Sequence, residues 1–263
     1  MTLALTRIRS LIAALLVSTL ALSTVGAGES RLTASATVDT ASKYIWRGFN
    51  VVDDAVLQPG VSLSAYNVTL GYWGNMDLTD INGEEHEFTE HDVYASYGLD
   101  LGQAGTLEVG AILYYFPSLE DADGNDDRDA LDVYGSYSFS LGELVAESAA
   151  GYYEVDEWDA WYANFGLSRE FELPSEWTLG TAVAAGYAGE NYNRDAWGVA
   201  DADADWNDLT ASLSLSGALS ESVSASFSFN YAELLSGKIA DSVEAAGGTP
   251  DNFWTMAGIE VAF

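Results

Sequence analysis

The residues best placed to do chemistry in this chain are charged, and their signs are unequal. Lys43 and Arg47 stand four apart in a sequence with nine Lys and Arg against 41 Asp and Glu. Strand alternation puts Asp39, Lys43 and Arg47 on one side of their segment. The same parity puts Asp77, Asp92, Asp100, Glu108, Asp132, Glu147 and Glu260 on the equivalent side of later segments. A basic pair facing a ring of carboxylates can focus a transverse field that sorts charged solutes. It can equally pair with those carboxylates and fill the space between them. The residues leave filter and plug both open.

Other constellations point less far. His86 and His91 are the two histidines. A lipid-modifying enzyme needs such a His beside a Ser or Asp. His91 adjoins Asp92, but Ser96 shares the parity of Asp92, opposite His91, and no G-x-S-x-G elbow is present. No catalytic residue is therefore expected. Asp121, Asp123, Asn125 and Asp127 set oxygens at alternate positions around Gly124, as in part of a calcium loop. The bidentate Glu of such a loop is missing. These four are the metal candidates, with a solvated acidic loop as the expected state and no cofactor. Asp201, Asp203 and Asp205 are read the same way.

The elements that must position these residues are strands. Leu107, Val109, Ala111, Leu113 and Tyr115 alternate with Thr106, Glu108 and Gly110. Val223, Ala225, Phe227, Phe229 and Tyr231 alternate with Ser224, Ser226, Ser228 and Asn230. One face is apolar and the other small and polar, the period of a half-buried sheet. Twelve such segments are expected, at about 32–46, 55–65, 68–79, 90–100, 106–116, 130–141, 143–155, 159–172, 177–188, 207–219, 223–234 and 251–263. Their length is that of tilted transmembrane strands, ~10 residues.

Connections alternate between short (66–67, 101–105, 141–142, 173–176, 220–222) and long (80–89, 117–129, 189–206, 235–250). Membrane barrels alternate in this way, with short periplasmic turns and long outer loops. Trp46, Tyr115, Phe139, Trp161, Phe171 and Trp177 fall near strand ends on the apolar phase, as in an aromatic girdle. Phe253, Thr255, Ala257, Ile259, Val261 and Phe263 share one face, and Phe263 ends the chain. A terminal aromatic on such a strand reads as a signal to the barrel assembly machinery.

Arg7 and Arg9, the apolar run 11–22 and the small residues Val25-Gly26-Ala27 read as a signal peptide over 1–27. That leaves a barrel domain over 28–263. Removing the leader leaves seven basic residues against 41 acidic ones, a net charge of −34. Such a charge repels nucleic acid, which is excluded as a partner. The absence of cysteine excludes disulfides, thiolate metal sites and cysteine nucleophiles.

Ser42-Lys43-Tyr44-Ile45-Trp46-Arg47-Gly48, then Gln58-Pro59-Gly60, then Gly71-Tyr72-Trp73-Gly74-Asn75 resemble the porin-like TorF family (the Gcw_chp domain). The specific likeness covers the first part of the chain and carries an S-x-Y-x-[FW]-R-G core. The resemblance implies an outer-membrane channel and no particular solute.

The expectation is an all-β chain: a single antiparallel transmembrane β-barrel of about 12 strands in the outer membrane of a Gram-negative bacterium, with both termini periplasmic. It would pass small solutes by passive diffusion, cations favoured because inward carboxylates outnumber inward bases. The alternatives are a lipid-modifying enzyme and a plugged structural or adhesive barrel. Outer-membrane lipids, the assembly machinery and small solutes are the expected partners, with oligomeric state open.

Overall fold

The computed structural model describes residues 32–83, 85–117, 129–142, 144–154 and 159–263. The leader over 1–27 and the metal candidates Asp121, Asp123, Asn125 and Asp127 lie outside these residues. Alternating segments form strands β1 (Thr33–Ala41), β2 (Tyr44–Trp46), β3 (Phe49–Val52), β4 (Val56–Ala65), β5 (Val68–Asp77), β6 (Phe88–Asp100) and β7 (Thr106–Tyr115). They continue as β8 (Asp129–Leu141), β9 (Leu144–Glu154), β10 (Ala160–Leu173), β11 (Trp177–Ala188), β12 (Asp205–Ala218), β13 (Val223–Leu234) and β14 (Asp251–Ala262).

Twelve of these strands close a barrel: each pairs antiparallel with its neighbour, and β1 completes the ring by pairing with both β4 and β14. Closure leaves no strand edge and satisfies the backbone within the wall, which a lipid environment requires. Among the described residues no helix is long and apolar enough to cross a membrane, so any crossing is made by strands.

The wall is inside out relative to a soluble sandwich. Val61, Leu63, Leu70, Val93, Phe165, Phe227 and Ile259 stand exposed on its outer face. Their neighbours along each strand, which point to the inner face, are mostly Ser, Thr and Gly, with Asp92, Tyr94, Asn164 and Glu260. A continuous apolar exterior of this kind suits acyl chains rather than water. At one rim the connections are tight. Tyr66 and Asn67 both take positive φ, 53° and 67°, giving the two-residue turn whose twist matches a hairpin. At the other rim they are mostly long, although β9 and β10 are joined by only five residues, against the expected alternation.

Strand one is shorter than expected. It ends at Ala41, where the Ser42 N–H donates to the Thr255 carbonyl and the Ser42 hydroxyl accepts from the Thr255 N–H. The chain then leaves the wall, and β2 and β3 form a separate two-stranded hairpin inside the barrel. Tyr44 and Trp46, placed outward by alternation, are instead 4% and 2% exposed in the interior. The alternation lapses at Thr40-Ala41-Ser42 but resumes on the same parity at Tyr44 and Trp46, so the departure reads as a local break within one strand.

Two of the long connections are also not the bare acidic loops expected. One carries helix α1 (Glu190–Trp197) and another helix α2 (Gly237–Ala245). Helix α1 buries Tyr192, Asn193, Ala196 and Trp197 on one stripe and stops at Gly198, whose φ of 65° ends the helix. The hydrophobic core of the molecule therefore sits inside the long-connection mouth. It joins Tyr44, Trp46 and Val52 of the hairpin to Tyr114, Tyr162, Tyr192, Trp197, Leu234 and Ile239.

Candidate functional site: an occluded mouth above an acidic lumen

The turn between β2 and β3 is Arg47-Gly48, with φ of 46° and 78°. The second position requires glycine: a Cβ there would lie 2.8 Å from Asp208 Cβ and from Leu234 Cδ2. Arginine at the first position is strained, by about 1–3 kcal/mol for a non-glycine residue held there. Burial of Tyr44, Trp46 and Val52, each contributing roughly 1.5–3 kcal/mol in a lumen that would otherwise hold water, offsets that strain.

The strained turn aims the Arg47 guanidinium into an aromatic cage. Its carbon lies 4.2 Å from the ring centre of Trp46, 4.4 Å from that of Tyr152, 4.5 Å from that of Tyr162 and 5.7 Å from that of Tyr192. These rings come from β2, β9, β10 and α1, so four separate parts of the chain converge on one cation. Arg47 Nη2 donates to Asp132 Oδ2 at 3.3 Å, in a pair buried on both sides. Tyr162 donates to Asp208 at 2.8 Å and Tyr114 to Asp132 at 3.4 Å. Tyr44 donates to Glu90 at 3.1 Å. Around one buried arginine the mouth thus collects buried Glu90, Asp92, Asp132, Glu154 and Asp208.

The other half of the lumen differs. Ser212, Ser214, Ser216, Ser224, Ser226 and Ser228 face inward on β12 and β13, and Ser226 is solvent-exposed although it points into the barrel. Half-buried Asp39, Glu108 and Glu260 line this part. Tyr134 donates to Glu108 at 2.9 Å. No Lys or Arg among the described strand residues points inward here. Arg169 takes the outward parity and covers Phe171 at 4.6 Å.

The expected site residues thus fall into separate groups. Arg47, Asp92 and Asp132 gather at the occluded mouth. Asp77 is at that end too, but its carboxylate is held by Asn75, Asn82 and Thr89 and is fully buried. Asp39, Glu108 and Glu260 belong to the accessible half. Asp100 is exposed at the short-turn rim and accepts from the Gly102 N–H at 2.7 Å. Glu147 sits in β9 opposite Ser138 and Gly166. Lys43 is not on a strand: it pairs with Asp53 across the base of the hairpin. Its expected place beside Arg47 on strand one is therefore corrected, because both residues belong to the inserted segment.

His91 points to the outer face. It stacks on Phe88 at 5.0 Å and Tyr115 at 6.0 Å, and its Nδ1 lies 2.8 Å from the Tyr72 hydroxyl. Asp92 and Ser96 point to the inner face, so the strand separates the groups that a His–Asp or His–Ser pair would need together. Tyr115, Trp161 and Phe171 also stand on the outer face. The cage partners Tyr152, Tyr162 and Tyr192 belong to no motif in the sequence. Tyr162 had a signal, being next to outward Trp161 and hence inward. Tyr192, on a helix in a long connection, had none.

Residues 26–232 match the family described as "Bacterial protein of unknown function (Gcw_chp)". The chain belongs to this family, the one to which its Ser42–Gly48 segment pointed. No curated protein matches the chain. Among solved structures it is similar to the KdgM porin at 10% identity, with a TM-score of 0.52 and coverage of 88% of this chain and 99% of that one. It is also similar to the NanC porin at 9% identity, TM-score 0.51, with the same coverage. A further structure shows the KdgM porin in complex with disordered oligogalacturonate, again at 9% identity and TM-score 0.51. At these identities the likeness is one of fold: a closed twelve-stranded porin barrel.

Proposed function

We propose that this chain, after loss of residues 1–27, is an outer-membrane channel for small solutes that favours cations. Both termini and the short turns would face the periplasm, with the long connections outside. The observation that carries the reading is the accessible half-lumen: a wall of serine, glycine and alanine, carboxylates at Asp39, Glu108 and Glu260, and no inward base among the described strand residues. Small side chains leave room for water, and one sign of charge in a low-dielectric wall raises the local concentration of the other. The hairpin makes the channel narrow and its conductance low.

The packed core at the long-connection mouth favours a second reading, a plugged barrel whose long connections bind partners. Planar-bilayer recordings separate the two. The channel reading expects conductance steps from the wild type, larger steps when residues 42–55 are exchanged for Asn-Gly, and a reversal potential of cation-selective sign in a salt gradient. Silence from both proteins, or anion selectivity, would sink it. Steps from the exchanged protein alone would assign the wild type to the plugged reading.

A further inference from the structure

We infer that the aromatic cage is a binding site for guanidinium or quaternary ammonium groups, and that Arg47 occupies it as an internal competitor. The inference rests on the channel reading only for its biological setting; binding itself does not depend on conduction.

Three observations lead here. The first is the cage itself. Four rings surround one cation at 4.2–5.7 Å, and three of them, Tyr152, Tyr162 and Tyr192, belong to the barrel wall and to α1 rather than to the hairpin. Faces of aromatic rings attract a cation through their quadrupole, and most strongly when water is excluded, as it is here. Rings gathered from distant parts of the chain are the usual receptor for a methylated or delocalised cation, and they would be retained if the hairpin withdrew.

The second is charge. Asp132 accepts directly from Arg47, Asp208 is fixed by Tyr162 beside the same turn, and Glu154 is buried nearby. Carboxylates set this close to the rings favour a positive charge in the cage.

The third is the way Arg47 is delivered. Its hairpin pairs only with itself and shares no ladder with the wall. It reaches the cage through a turn in which Arg47 holds a left-handed backbone, φ 46°. A group that enters a site on a separate, strained element can be exchanged for a free ligand of the same chemistry. The substrate class this implies is a small organic cation with a planar guanidinium or a methylated ammonium head.

The test uses the full mature chain refolded in detergent, with folding checked by heat-modifiable migration. Methylguanidinium and tetramethylammonium chloride are the probes, and sodium chloride at equal ionic strength is the reference. Binding is read by saturation transfer to the probe methyl protons and by the melting temperature. In Arg47→Ala, which vacates the cage, both probes should bind saturably and raise the melting temperature. The wild type should bind at least tenfold more weakly. Adding Tyr162→Ala to Arg47→Ala should weaken binding at least tenfold again.

If Arg47→Ala does not fold, the exchange of residues 42–55 for Asn-Gly serves as the vacated protein, since it removes Arg47 and keeps Tyr152, Tyr162 and Tyr192. The wild type itself should still give a transfer signal at high probe concentration. The inference is overturned if the probes act on the vacated protein no more than sodium chloride does, if the wild type and the vacated protein bind equally, or if no folded form gives a signal. A silent bilayer recording alongside saturable binding would count against the channel reading alone.

Discussion

The two halves of the lumen are made from the same strands and have opposite character. Towards the short turns the inner wall is serine and glycine, its carboxylates are half-buried, and Ser226 meets solvent. Towards the long connections the same strands present Tyr114, Tyr162, Asp132, Asp208 and Asn230, all buried against a hairpin and a helix. The contrast shows that a barrel wall does not determine what its lumen holds. Side chains on the wall are inward or outward by parity, but wet or dry according to what is folded in from the connections.

The largest disturbance to this contrast comes from Asp132→Leu. It strands the buried Arg47 charge, and breaking one side of such a pair destabilises by about 3–5 kcal/mol. The hairpin should unseat, the melting temperature should fall, and bilayer conductance should rise several-fold if the mouth is the constriction. Unchanged melting and unchanged conductance would show that the latch lies elsewhere.

Gly48→Val should have the next largest effect. It forces a β-branched residue to φ near 78° and drives its Cβ toward Asp208 and Leu234. A loss of about 1–3 kcal/mol is expected from the backbone alone. The variant should reproduce the Asp132→Leu phenotype in weaker form, as read by thermal melting.

Cysteine accessibility then compares the halves directly, and the absence of native cysteine keeps it clean. Ser226→Cys and Asn230→Cys lie on one strand, about 13 Å apart along it. A membrane-impermeant thiol reagent should label the first at least tenfold faster, since Asn230 is buried. Exchange of residues 42–55 for Asn-Gly should narrow the gap. Equal rates in the wild type would mean that the division of the lumen is wrong.

The smallest effect belongs to Lys43→Ala. The hydrogen bond from Lys43 holds the Asp53 carboxyl below its ordinary 3.8, and pairs this exposed contribute under about 1 kcal/mol. Because the folded-state value is lowered, the contribution is present above the unfolded value and is lost as pH falls through the folded one. Melting temperatures of the wild type and Lys43→Ala should therefore differ slightly near neutral pH and converge in strong acid.

The barrel was largely legible in the sequence, and the plug was not. Alternation and connection length fixed the strand count, and the β1–β14 closure followed from the even number. Val223 to Tyr231 reads as a wall strand because its neighbours across the sheet want the same parity. Tyr44-Ile45-Trp46 obeys that parity too, and so reads as a continuation of Thr33–Ala41. A period of 2 says that a segment is extended and two-faced; it does not say which partner it pairs with. Arg47-Gly48 between aromatic runs was the available turn signal. The cage is harder still: Tyr152 and Tyr162 are a cross-strand pair on β9 and β10, but Tyr192 joins them only through a helix in a long connection, and Arg47 only through the inserted hairpin.

Ala41 and Val56 face each other as a cross-strand pair on β1 and β4. The segment between them leaves the wall and returns to it at adjacent points, so the ring of twelve strands is complete with or without it. In evolutionary terms residues 42–55 are a cassette. Beyond the Ser42 bonds to Thr255, they can lengthen, change their tip or vanish without altering the ladders of the barrel. A change confined to this insert would therefore alter what the mouth admits while leaving the closure of the ring intact.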